Sequence, residues 1–471
     1  MNPFEFDMAL QEPVFYMMRR GIRVDQDKKI RFAIETHEEW DKWQDALDTL
    51  AGGHLNVNSS KQVHKFLYGK GEADLGIPVR RKDKKVTADE DALRAIMAEA
   101  EVKLKKAKKE ATKQKRYRIF LSVKVMLKIR GARKSLSSYT GCPEECTCNK
   151  PSQILFDNDG RMRCSISVGG TVTMRFAHSK TLWGTGMNLA TVPHKLRPMF
   201  IADDGYELAE LDLNRGESWI YAYLSEDPEL MRIHSTGMDF HAETAAAIQK
   251  VFGSVDLTAE EISALAKAGD HFGYKLRYLG KRINHASAYR MGPFEGAEIV
   301  NEEADDTNIT VTPTQMKEAQ DLWLGKYPGI RHWWNEIDRQ VREKRYLITP
   351  YGRRRDFYGF MSDQLLKKAT AQVPQSTSVE YLNHGMLRVY NELVVPGNFG
   401  LELLHQNHDS ILVQYPIQHR DQVIPIMIKL IESTININGH DITIPVEAMY
   451  GQNWGDYHEE TNPEGLRDWA A

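Results

Sequence analysis

Cysteine is nearly absent: there are four in 471 residues, all confined to the stretch from Cys142 to Cys164. A set this sparse and local excludes a secreted scaffold held by disulfides along its length. Long apolar runs are missing too. No charge-free stretch approaches the roughly 18 to 20 residues of a membrane-spanning helix. The opening MNPFEFDMALQEP lacks the basic start, apolar stretch and cleavage site of a signal peptide. Neither sign of charge dominates, the formal net charge being -3. That sum gives no hint of a polyanion partner, but local patches decide such binding, not totals. Neither an internal repeat nor a low-complexity linker is present. With 41% hydrophobic residues and length for about three domains, the chain is expected to be a globular cytoplasmic enzyme or binding protein.

The four cysteines follow the pattern C-x3-C-x-C-x15-C. Four thiolates can close a tetrahedral zinc site, and the Cys146-Thr147-Cys148 turn would bring Cys142, Cys146 and Cys148 together. The spacing is not the usual C-x2-C pair, however. Cys164 falls in the strand-like RMRCSIS, where it reads equally well as a core residue. One structural Zn2+ and a bland cysteine cluster stand level.

Charge is patterned even though its sum is small. Residues 103 to 118 hold nine cations (Lys103, Lys105, Lys106, Lys108, Lys109, Lys113, Lys115, Arg116 and Arg118) against one acid, Glu110. A charge run alone is most often a solvated helix face. This one continues into Val125, Ile129, Ala132 and Leu136, a buried helical stripe, with Lys128, Arg130, Arg133 and Lys134 extending the basic surface. A pair of long basic helices suits a phosphate backbone. Upstream, a short helix is expected around Trp40 to Leu50, and another capped by Asn58 or Ser59.

From about residue 154 the period changes to two. ILFDNDGRMRCSISVGGTVTMRF reads as antiparallel strands with tight turns, and YELAELDL alternates so that Leu208, Glu210 and Asp212 share a face. GESWIYAYLSEDPEL is helical, as are most of residues 231–300 and 314–345. Strands return in LELLHQNHDSILVQYP and ITIPVEAMYG. The layout predicts an α+β fold, a sheet interrupted by a helical insertion.

Two of these strands deliver an aspartate near an end, Asp212 and Asp409. Brought together they would repel, and one would gain proton affinity unless cations neutralised them, so the pair predicts divalent metal. Hard oxygen ligands suit Mg2+, and two such ions serve phosphoryl transfer. Either aspartate alone reads more readily as a turn or cap residue. In the helical block, Arg277, Lys281, His285 and Tyr289 recur every four residues and line one helix face. Two cations followed by two rings can grip a triphosphate and then border a sugar and a base.

These motifs together resemble DNA polymerase family A, the DNA polymerase I type, from about residue 10 to the C-terminus and in the family's order. The residues that carry the likeness are Asp212 and Glu217 in DLNRGES, the helix RYLGKRINHASAY, and the doublet His408-Asp409. TVTMRF with Arg175, NLATVP, DFHAETA with His241, YGRRRDF, QSTSVEY with Gln375 and the closing GQNWGDY add to it. A phage-type branch of the family is a further expectation.

The resemblance implies a right-hand polymerase fold with an antiparallel-sheet palm, helical fingers and a helical thumb. Residues 1–150 would form the N-terminal segment and thumb, 151–230 the first part of the palm, 231–389 the fingers and connecting helices, and 390–471 the rest of the palm. It implies that Asp212, Asp409 and the Leu213 carbonyl bind two Mg2+. Arg277, Lys281 and His241 would hold the triphosphate, with Lys281 also a proton donor. His285 and Tyr289 would border sugar and templating base, and Glu217 would exclude a ribose 2'-hydroxyl. Arg175, Gln375, His408 and Lys367 would contact the primer-template. Partners would be primer-template DNA, dNTPs and accessory replication proteins, with no membrane. The setting would be the cytoplasm of a bacterial or phage-infected cell. With the likeness starting so near Met1, a proofreading exonuclease domain is expected to be absent.

The chain also departs from the family's pattern. His285 stands where the family has Phe or Tyr, Ser410 replaces a third acid, and Lys367 replaces Arg. Arg215, Trp219, Ala190 and Ala371 replace Gln, Arg, Gln and Asn. Three rival readings compete: a His-Asp phosphohydrolase, a catalytically silent duplex-binding subunit, and a single-subunit RNA polymerase. The first normally carries its doublet on a helix, whereas SILVQY reads as strand. The surviving Asp212, Asp409 and Lys281 disfavour the second, and Glu217 the third.

Overall fold

The computed structural model describes residues 1–143, 154, 156–253, 256–303 and 307–469. Three long helices follow the N-terminal segment: α1 (Gln26–Ala51), α2 (Glu90–Lys105) and α3 (Glu110–Ser135). The short helix expected at Trp40 to Leu50 is thus the second half of a longer one. Asp25 starts it by accepting the Lys28 amide, and Gly52, at φ 69°, ends it. Leu47, Val63, Phe66, Leu93, Ile96, Val123, Met126 and Ile129 close a core of their own here. Two cations expected on the basic surface turn inward instead. Arg118 donates to the carbonyls of Leu50 and Ala73, and Arg130 to those of Ala88 and Val57. A guanidinium can fan out to several carbonyls that helix and loop ends leave unpaired, which explains the choice of Arg at these positions.

A second and larger core contains the N-terminal helices, through Phe6, Leu10 and Val14, together with the main sheet. That sheet is antiparallel, in the spatial order β2-β3-β1-β4-β5: β1 is Tyr206–Leu213, β2 Glu402–Asn407, β3 Ser410–Pro416, β4 Val446–Gly451 and β5 Arg467–Asp468. The interrupted-sheet layout is therefore present, with β1 separated from its partners by the helical block. Strands between residues 154 and 179 are only two or three residues long.

β1 is covered on both faces, so its alternation hides no solvent side. Glu207 and Glu210 are both buried, at 3% and 5% exposure. Each carboxylate is matched, as burial demands. Arg420 makes a two-pronged contact with Glu207 at 2.6 and 2.7 Å, while Ser410 Oγ and Trp454 Nε1 donate to Glu210 at 2.8 and 3.1 Å.

The helical block runs through α4 (Gly216–Leu224), α5 (Phe240–Ile248), α6 (His271–Ala288) and α7 (Pro313–Lys326), and the long α8 (Asp363–Val389) leads back to the sheet. Gly280 decides how α5 and α6 cross: a Cβ there would sit 2.1 Å from the His241 carbonyl oxygen. Only glycine permits this approach, and it sets the next turn of α6 against His241. No helix among the described residues is long and apolar enough to cross a membrane.

Candidate active site

The register of the sheet builds the site. Asp212, near the end of β1, lies opposite Ser410 on β3 and Glu447 on β4. His408 and Asp409 form the two-residue connection between β2 and β3, whose ends pair as Asn407 with Ser410. Asp409 is therefore on a turn, and not on the strand that its sequence context suggested. The turn is tight: the Asp409 amide donates to the Asn407 carbonyl at 2.7 Å, and His408 has φ 58°. A non-glycine residue there is strained, a feature that clusters at functional sites. The Leu213 amide donates to the Asp409 carbonyl at 3.0 Å, tying the turn to β1.

Asp409 is exposed and Asp212 partly buried. Burial and the carboxylates of Asp409, Glu210 and Glu447 push the Asp212 carboxyl well up, with Lys281 opposing. Such a cluster is poised to take up cations.

A cavity of about 1090 Å³ opens over these carboxylates. It is lined by Arg175, Leu213, Glu217, His241, Arg277, Lys281, His285, Tyr289 and Gln375 as well as by both aspartates. Residues far apart in sequence, from Arg175 to Glu447, thus line one cavity. His408 and Lys367 are not among the lining residues. Lys367 faces Glu295 at 3.5 Å. Tyr289 is the C-cap of α6 and not part of its last turn.

Glu217 is held from two sides. Arg175 Nη2 donates to one carboxylate oxygen at 2.9 Å and the Tyr289 hydroxyl to the other. Burial raises the Glu217 carboxyl despite these bonds. Arg277 is aimed by Asp239, whose Oδ2 accepts its Nε at 2.7 Å, while Oδ1 of the same carboxylate caps α5. Burial alone would raise Asp239, but Arg277 and Ser263 outweigh it and hold the carboxyl at about 2. Burial, with Arg282 and Arg277 close by, lowers the Lys281 ammonium. His241 and His285 are both neutral at pH 7: burial, reinforced by adjacent cations, takes them to about 3 and about 4.

The sequence profile of DNA polymerase family A matches residues 27–456. The chain belongs to DNA polymerase family A. It is 23% identical over 458 residues to DNA polymerase I of Caldicellulosiruptor bescii, covering 94% of this chain and 46% of that protein. It is 26% identical over 473 residues to DNA polymerase I of Pseudomonas aeruginosa, covering 96% and 44%. The chain spans about half the length of the curated relatives it matches. Among solved structures it resembles the POL domain of Pol1 from M. smegmatis in complex with DNA primer-template and dNTP, with TM-score 0.69 and 18% identity, covering 95% of this chain and 70% of that one. The fold is thus the right-hand polymerase fold, with the five-stranded sheet as its palm.

Against the family A pattern, two features gain a physical reading. Ser410, in place of a third acid, spends its hydroxyl on the buried Glu210. A carboxylate is thereby retained beside the site, but it comes from β1. Asp212, Asp409 and the Leu213 carbonyl would offer only oxygen donors amid mutually repelling carboxylates, a chemistry that fits Mg2+.

The four-cysteine zinc site is not supported. Cys164 is 3% exposed and packs within the main core. Cys146 and Cys148 lie outside the described residues, and among the described residues no three His, Cys, Asp or Glu side chains form a metal-binding group.

Sequence reasoning missed Asp239, Asn284 and Glu447, all of which line the cavity. Asp239, two positions before His241 and directly ahead of an apolar helix, carried a legible cap signal.

Proposed function

We propose that the chain is a template-directed DNA polymerase that adds dNTPs to a primer 3'-hydroxyl. The observation that carries this reading is one cavity lined both by Asp212 and Asp409 and by Arg277, Lys281 and His241. Acids that can take up cations beside groups that can bind phosphate fit a nucleoside triphosphate.

In this reading Asp212, Asp409 and the Leu213 carbonyl hold two Mg2+, which supply activation of the attacking hydroxyl and neutralise phosphate charge. Arg277, oriented by Asp239, and Lys281 draw the triphosphate against α6, and His241 hydrogen-bonds it. Lys281, whose ammonium burial already lowers, gives a proton to the departing pyrophosphate. Glu217, clamped by Arg175 and Tyr289, fills the space a ribose 2'-hydroxyl would need. His285 borders the sugar and Tyr289 the templating base. Arg175, Gln375 and His408 meet the primer terminus, and Lys367 contacts the duplex outside the cavity.

The separate core around Leu47 and Val123 supports reading residues 1–150 as N-terminal segment and thumb. Residues 151–230 and 390–471 then make the palm, and 231–389 the fingers and connecting helices. The setting for such a reaction is the cytoplasm of a bacterial or phage-infected cell.

Primer extension on a recessed DNA duplex with Mg2+ tests this reading, comparing dNTPs with NTPs and wild type with Asp409→Ala. Extension by dNTPs alone, dictated by the template and lost in the variant, is expected. Salt-sensitive duplex binding without extension would overturn it in favour of an accessory duplex-binding role.

A further inference from the structure

His241 can meet a nucleotide in either of two neutral forms, and only the form with hydrogen on the cavity-facing nitrogen donates to phosphate. A buried chain of three side chains decides between them. Trp323, on α7 and 1% exposed, points its indole Nε1 at Asn284 Oδ1, 2.6 Å away. Indole nitrogen is a donor only, so the atom of Asn284 that it meets must be the carbonyl oxygen. Thr244 Oγ1 donates to the same oxygen at 2.7 Å. The amide nitrogen is thereby turned the other way. There it meets His241 Nδ1 at 3.1 Å and the Phe240 carbonyl at 3.5 Å. A carbonyl oxygen accepts and never donates, which agrees with the same orientation. Asn284 is only 2% exposed.

An amide nitrogen can only donate, so His241 Nδ1 must accept. The ring is neutral, so its one hydrogen sits on Nε2. Charge reasoning points the same way, because a cationic ring beside Arg277 and Lys281 would be repelled.

We propose that Trp323 and Asn284 are positioning residues that hold His241 as the neutral Nε2–H tautomer, presenting a directed donor to the phosphate oxygens of the incoming nucleotide. This rests on the polymerase reading of the site. Arg277 and Lys281 supply attraction at a distance, and His241 supplies direction without adding a third repelling cation. Gly280 belongs to the same device, since the close α5–α6 crossing it allows brings Asn284 to His241.

The test has a spectroscopic arm and a kinetic arm. In protein with 15N-labelled histidine, long-range 15N–1H correlation should show hydrogen on Nε2 and none on Nδ1 of His241 from pH 6 to 8. Asn284→Asp, which can only accept at that position, should move the hydrogen to Nδ1. Hydrogen on Nδ1 in the wild type, or on both nitrogens, would overturn the proposal.

In single-nucleotide incorporation, Trp323→Phe and Asn284→Asp should each raise the dNTP KM by about tenfold, with duplex affinity close to wild type. His241→Gln keeps an N–H donor, and in that background Trp323→Phe should add nothing. Equal effects of Trp323→Phe in both backgrounds would mean a purely structural role and would overturn the relay. The spectroscopic arm needs no turnover. Failure of wild-type extension, which sinks the polymerase reading, is therefore distinguishable from failure of the tautomer assignment.

Discussion

The Leu213 amide donates to the Asp409 carbonyl at 3.0 Å, so the residue after one proposed catalytic carboxylate is pinned to the backbone of the other. A two-residue turn leaves Asp409 little freedom, and a central strand leaves Asp212 less. Metal chemistry tolerates about 0.5 Å of misplacement, which explains why both acids sit on or beside the sheet and not on the mobile edge of a loop.

The turn stores strain that should be separable from function. We predict that His408→Gly relieves the φ of 58° and stabilises the fold by about 1 kcal/mol. The same change removes the ring proposed to meet the primer terminus and should slow incorporation. Denaturant melts and extension rates on one preparation check both. A variant that is less stable than wild type would refute the strain argument.

Glu217 is clamped by Arg175 and Tyr289, so its removal should open space without moving the palm. Glu217→Ala is predicted to cut the preference for dNTPs over NTPs by about 100-fold, since steric and desolvation penalties against the 2'-hydroxyl are lost together. Competition between dATP and ATP opposite template thymine measures it, and an unchanged ratio would remove Glu217 from sugar selection.

His285 is a neutral ring at pH 7 and can hydrogen-bond where an aromatic hydrocarbon cannot. His285→Phe should change incorporation of 3'-deoxy chain terminators relative to dNTPs by about tenfold or more. Indistinguishable kinetics would reject the assignment.

Asp203 joins the N-terminal helices to the palm through Arg20 and Arg161. Burial would raise its carboxyl, but hydrogen bonds from Arg161, Gln414 and Arg20 prevail and hold it at about 2, below its ordinary 3.8. Its contribution, reduced by solvent screening to on the order of 1 kcal/mol, is therefore present above pH 4 and lost as pH falls through 2. Acid titration of stability should show wild type falling toward Asp203→Asn across that window. Parallel curves for the two proteins would contradict it.

Much of the site was legible because its residues lie in short ordered motifs: Asp212 with Glu217, and Arg277 with Lys281 and His285, are spaced by one helix or strand-to-helix step. The α+β layout followed from where the period changes. What stayed hidden depends on contacts between distant segments. SILVQY announced a strand, but nothing local said that His408 and Asp409 were its turn. The basic tract gave no sign that Arg118 and Arg130 would spend their charge on carbonyls. Nor did Asn284, one polar residue in a basic helix, reveal a partner 39 positions away in Trp323. For Cys164 the strand-like RMRCSIS already offered the core reading beside zinc, and its burial agrees with the core reading.

The most direct measurement is rapid-quench incorporation of one correct dNTP on a recessed duplex, with duplex affinity followed in parallel, for wild type, Asp212→Asn and Asp409→Asn. The account predicts that each variant binds duplex within about twofold of wild type and loses chemistry by about 1000-fold or more. Incorporation near the wild-type rate in either variant would contradict the assignment of these two carboxylates as the catalytic pair.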